Sequence, residues 1–168
     1  MRRLYTYVPL ENTVMQKGLM SPVLLDKELL KYGRRAGSED KEKIAAWLDS
    51  TFEGRSRSVS CLTEPVRWQG NDVMLKDFVS SRVLFSYDVD RLVKDSVVER
   101  IYCKDGSGPG GFNETFVEVS LEEIDFAPLP WEKCSREKGL FFGVIRHYML
   151  VLRDGLIPPE YLCAERIR

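Results

Sequence analysis

Hydrophobic and polar residues fall into two periods along this chain, and the change of period divides it. From Leu4 to Val8 ("LYTYV") aromatic and β-branched residues alternate with the spacing of a strand. Pro9 follows at a position that a first helical turn accepts, and Lys17-Gly18 supplies the basic last turn and glycine stop of a short helix. "PVLLDKELLKYG" reads as helical. "SEDKEKIAAWLDSTF" is the most regular helix in the chain, with Ser38 as N-cap, two acids behind it, and Ile44, Trp47, Leu48 and Phe52 on one face predicted to be buried. "RSRSVSCL" is a basic loop ending in a strand. "NDVMLKDFVSS" has an Asn71 cap and the Met74/Phe78 spacing of a helix, and "RVLFSYDV" has the composition of a strand.

The second half is written in the period of strands. "SVVERIYC" and "TFVEVSLEEI" flank "KDGSGPGGFNE", and "GVIRHYMLVL" and "GLIPPEYLC" close around Asp154-Gly155. Strands are expected over Arg3–Val8, Ser58–Leu62, Arg82–Tyr87, Val97–Cys103, Phe116–Val119 and Ile145–Leu152. The predicted fold is α+β, a single globular domain over residues 1–168, with the helices of the N-terminal half packed on a split antiparallel sheet.

Composition narrows the function classes. A chain of 168 residues with 43% hydrophobic and 30% charged positions can bury a core of its own. Its 25 basic and 26 acidic residues leave a net charge of −1, so no whole-protein field steers it toward nucleic acid or an anionic membrane. Cys61, Cys103, Cys134 and Cys163 lie tens of residues apart without a C-x-x-C pair, which predicts free thiols, no metal site and no disulfide scaffold. "MRRLYTYVPLEN" lacks the apolar core of a signal peptide, and no stretch has the length of a membrane span. The expected setting is cytoplasmic, or that of an effector delivered by dedicated machinery.

The candidate chemistry is sparse. "GSGPGG" (residues 106–111) satisfies G-x-G-x-x-G, but it contains proline and leads into a strand, so it reads as a hairpin loop rather than a phosphate cradle. His147 is the single histidine, and any histidine-dependent catalysis passes through it. Glu114, Glu118, Glu122, Glu123 and Asp125 hold the spacing from which two carboxylates could share a cleft. Arg34-Arg35 and the "GRSRS" run (Arg55, Arg57) offer guanidinium groups suited to phosphate. Tyr5, Tyr7, Tyr32, Trp47 and Trp68 could stack a flat ring or fill a core.

"LYTYVPLENTVMQKGLMS" resembles the opening of the ADP-ribosyltransferase fold, an aromatic strand running into a short helix that ends in a "GL-S" turn. Two further pieces follow in that family's order. "SRSVSCLTEP" is similar to its second strand, and "YMLVLRDGLIPPEYLCAERI" to the closing strand and I-P-P-E-Y segment of DNA-modifying and related bacterial members. The resemblance implies NAD as substrate, bound by Tyr5, Thr6, Ser58, Ser60 and Arg35, with Tyr7 and His147 at the reacting end and transfer of ADP-ribose to a protein or nucleic acid. It also exposes departures. Thr6 stands where the family has histidine or arginine, Val8 where a hydroxyl follows, and Met149 where a glutamate stabilises the oxocarbenium-like transition state. Glu118 (or Glu114) is the expected substitute acid. Three classes stay open: an NAD-dependent transferase, a non-catalytic interaction module of the same fold, and a hydrolase built on the acid cluster and His147.

Overall fold

The computed structural model describes residues 1–9, 14–67, 73–105, 115–132 and 146–165, with the backbone alone at 73–75 and 105. Expectations placed on the "GSGPGG" loop, Trp68, Asn71, Glu114, Cys134 and Ile145 lie outside the described residues.

The chain is a mixed α/β protein with antiparallel sheets and short helices. In order, the elements are β1 (Arg3–Pro9), α1 (Val14–Lys17), β2 (Leu19–Met20), α2 (Asp26–Leu30), α3 (Gly33–Ala36), α4 (Lys41–Thr51) and β3 (Ser58–Cys61). They continue with α5 (Val73–Ser80), β4 (Arg82–Asp88), α6 (Val89–Lys94), β5 (Val98–Asp105), β6 (Thr115–Val119), β7 (His147–Leu152), β8 (Leu156–Ile157) and β9 (Cys163–Glu165). Each strand expected within the described residues is present to within two positions. "GLIPPEYLC" is not one closing strand but β8, a single 3-10 turn at Pro159–Tyr161, and the start of β9, because the two prolines interrupt ladder bonding.

Two sheets carry the architecture, β1-β4-β9 and β3-β7-β5-β6. They touch at one seam, where Tyr5 pairs with Leu62 through two backbone hydrogen bonds of 2.9 Å. The Thr6 hydroxyl strengthens the seam by donating to the Ser60 carbonyl at 2.9 Å.

Alternation along the strands gives this layered surface two unlike faces. Leu4, Val8, Val59, Cys61, Phe85, Tyr87, Ile101, Tyr148, Leu150 and Leu152 form the main core with α6 and Ile157. The opposite face carries Tyr5, Tyr7, Ser58, Ser60, Leu62, His147, Met149, Tyr102 and Glu118, and is covered in patches. α5 lays Phe78 on Tyr7 (ring centroids 5.3 Å apart), and Phe52, at the end of α4, stacks on Tyr102 at 4.2 Å.

Helix α4 is the expected helix with a different cap. Asp40, not Ser38, occupies the N-cap and accepts from the Glu42 and Lys43 amides, while the hydroxyl of Ser38, two residues earlier, accepts from the Asp40 amide. Ile44, Leu48 and Phe52 are buried as expected, but Trp47 is only half-buried, packed by Tyr32 and by the Arg35 guanidinium 5.6 Å from its ring. "PVLLDKELLKYG" is split into a 3-10 turn at Pro22–Leu24 and helix α2, with Leu29 packed on Ile44 and Leu48. Pro9 ends β1 rather than opening α1.

The "GL-S" turn is a fixed joint. Gly18 has φ +90, and a Cβ there would lie 2.4 Å from the Ile157 carbonyl oxygen, so only glycine lets β2 pair with β8 at Leu19–Ile157.

Candidate functional site

Where the two sheets diverge from the Tyr5–Leu62 seam, the gap becomes a cleft of about 180 Å³. Its floor is the patch of sheet around Tyr7, Pro9, Ser58, Ser60 and Met149, and its far wall is α1, β2 and α2. Glu28 of α2 lines it together with Leu25, the extended residue before the helix, and Tyr32, in the turn after it. Two charged side chains line it among the described residues, Glu28 and Arg55.

Arg55 is 6% exposed. It sits in the tight turn before β3, donates to the Thr51 hydroxyl at 2.9 Å, and has its guanidinium 4.7 Å from the Phe116 ring and 5.8 Å from the Tyr32 ring. Aromatic faces hold a cation while restricting its rotation, so the fork is fixed in direction. Glu28, partly exposed, receives a hydrogen bond from Lys31 at 2.6 Å.

The two serines of "SVS" differ. Ser58 is buried and donates to the Arg55 carbonyl at 2.7 Å, locking the turn that presents the guanidinium. Ser60 is exposed in the cleft. Tyr7 is half-buried, and its hydroxyl accepts from the Val66 amide at 2.9 Å. Burial raises its pKa, partly offset by that hydrogen bond.

A second hollow of about 170 Å³ continues past Ser60, lined by Tyr5, Tyr7, Phe78, Arg82 and His147. Arg82 lies 4.0 Å from the Phe78 ring. His147, 7% exposed, opens β7 and so reaches this hollow and not the main cleft.

Tyr7, Thr6, Ser58 and Ser60 therefore meet at the main cleft, with Tyr5 and His147, one from each sheet, at the adjoining hollow. Three placements differ from the arrangement expected. Thr6 contributes backbone and seam, not a free hydroxyl: its side chain is turned to the core, within 2.8 Å of the Tyr87 hydroxyl. Arg35 stands on exposed α3 over Trp47, outside the cleft. Glu118 lies in one cross-strand row with Ser60, Met149 and Tyr102, yet on the edge strand β6, three strand spacings or about 14 Å from Ser60. It is exposed and does not line the cleft.

Glu28 was missed in the sequence because α2 carries no chemical motif; only the docking of α2 shows it. Arg55 was visible as one of the "GRSRS" arginines, but nothing local marked it as the buried one. Among the described residues there is no group of acids, histidines and cysteines arranged to hold a metal, and no helix long and apolar enough to cross a membrane. Comparison with family models, curated proteins and solved structures finds no match.

Proposed function

We propose that this is an ADP-ribosyltransferase-like protein that binds NAD in the main cleft, with the N-terminal helices α1 and α2 as the wall over a split sheet. One observation carries the reading: the β1–β3 seam opens into a cleft whose floor joins Tyr7 to Ser58 and Ser60, and whose charged lining among the described residues is one acid and one buried arginine. NAD has the matching charges, a diphosphate dianion and a pyridinium cation. Arg55 suits the diphosphate, since a fixed guanidinium meets phosphate oxygens with two parallel hydrogen bonds. Tyr7 and Tyr32 offer ring faces for the nicotinamide or its ribose. The acceptor of ADP-ribose would be a protein or nucleic acid.

A second reading has its own observation. Met149 occupies the cleft position where the resemblance calls for glutamate, and a thioether cannot stabilise a developing cation. An interaction module that holds a nucleotide or protein partner without turnover fits that substitution.

The test is a thermal-shift titration with NAD, accompanied by measurement of released nicotinamide. Saturation to a hundredfold excess over Kd stabilises the folded state by about 2.7 kcal/mol. A shift that Arg55→Lys weakens supports the cleft as the site. Absence of a shift at millimolar NAD removes both nucleotide readings.

A further inference from the structure

We propose that Glu28 is the catalytic carboxylate of the cleft, supplied by helix α2 in place of the strand position that Met149 occupies; this rests on the NAD reading above. The strand row through Ser60, Met149 and Tyr102 brings no acid to the cleft, because its one carboxylate, Glu118, is three strands away. Glu28 lines the cleft from the opposite wall, between Leu25 and Tyr32, which flank α2 on either side. α2 is fixed against α4 by Leu29, which packs on Ile44 and Leu48, so the carboxylate is carried by an anchored helix and not by a loop.

The division of charge within the cleft sets the direction of the ligand. Arg55, beside the β3 turn, takes the diphosphate, which leaves Glu28, ion-paired with Lys31 on the helix surface, as the anion of the cleft for the ribose and pyridinium end. In the reaction, the bond between ribose C1′ and the nicotinamide ring nitrogen breaks, and its electron pair neutralises the pyridinium. Positive charge then spreads over C1′ and the ring oxygen of the ribose. A carboxylate beside that ring interacts more strongly with the transition state than with bound NAD, the condition for acceleration. With water as acceptor, its oxygen bonds to C1′ and its proton leaves to solvent. NAD and water give nicotinamide, ADP-ribose and a proton.

The experiment compares wild type, Glu28→Gln, Glu28→Asp and Glu118→Gln in the full chain, reading nicotinamide release and the NAD-induced thermal shift side by side. Glu28→Gln is expected to lower kcat by about 10²–10³-fold, the loss typical of deleting one transition-state electrostatic partner, while retaining the shift. Glu28→Asp should recover part of the rate, and Glu118→Gln should match wild type.

Release by Glu28→Gln within about threefold of wild type overturns the assignment. So does a Glu28→Gln protein that has lost the shift together with turnover, since the side chain would then serve binding. A wild-type shift without nicotinamide release overturns the catalytic role and leaves the NAD-binding reading standing. A wild type showing neither shift nor release overturns both.

Discussion

The two faces of the joined sheets are built from the same strands, residue by alternate residue, and follow opposite rules. On the core face, Leu4, Val59, Leu150 and Leu152 are buried without polar atoms to satisfy, and the few polar groups there are paired. The Thr6 hydroxyl meets Tyr87 at 2.8 Å and Ser60 at 2.9 Å, and the Cys61 thiol donates to the Tyr148 carbonyl at 3.4 Å. On the other face, buried aromatic patches alternate with exposed polar side chains such as Ser60, and two hollows remain between them. The larger core lies on one side and the two hollows open toward the other, so a substitution at position n and one at n+1 should act on different properties.

The largest effect should come from Leu150→Ala, which empties a fully buried core-face position and should cost about 2–5 kcal/mol in denaturant unfolding. A loss under about 1 kcal/mol would mean that the two faces are not energetically distinct. Next is a dependence on pH. Burial pushes the Cys61 thiol up to about 12, from an ordinary 9.0. The folded state keeps the proton and the unfolded chain loses it, so this contribution is intact below pH 9 and lost as pH rises toward 12. Wild type should therefore fall in stability more steeply than Cys61→Ala across that window, by up to about 1.4 kcal/mol per pH unit, in parallel denaturation series.

Tyr87→Phe tests the polar part of the core face. Removing its hydroxyl leaves Thr6 still bonded to Ser60, so the expected loss is about 1 kcal/mol, measured by the same unfolding method. Ser60→Ala should be the mildest for folding, within about 0.5 kcal/mol, because the side chain is exposed. Its effect should appear in the NAD-induced shift, which it should reduce. A stability loss from Ser60→Ala larger than that from Tyr87→Phe would reverse the contrast between the faces.

Alternation is local, and it was legible. "LYTYV", "SVSC" and "HYML" each show which residues share a side, and Tyr7, Ser60, Met149 and Glu118 do fall on one face. Strand order is not local. Nothing in "TFVEVSLEEI" says that β6 pairs with β5 at the edge and not with β3 beside the cleft, so the distance from Glu118 to Ser60 could not be read. The hydrogen bond from Thr6 to Tyr87 is hidden by the same limit, because the side of β1 that meets the core depends on which elements later cover it. Burial of polar residues was the other blind spot. Arg55 and Arg57 look alike in "GRSRS", but Arg55 turns inward between aromatic rings, while Arg57 reaches out to Glu99 and to the Leu152 and Arg153 carbonyls.

Gly18 bears on how this protein can change over evolutionary time. Gly37 also has a positive φ, +64, but a Cβ there would meet nothing within 4 Å, whereas at Gly18 it would strike the Ile157 carbonyl. Drift at Gly37 is opposed by backbone preference alone, and asparagine is an accessible replacement. Drift at Gly18 would break the β2–β8 joint and shift the cleft wall with it. In any lineage that keeps this cleft, the glycine of "KGLMS" should persist after the surrounding hydrophobic residues have been exchanged, making it a marker by which distant descendants could be aligned.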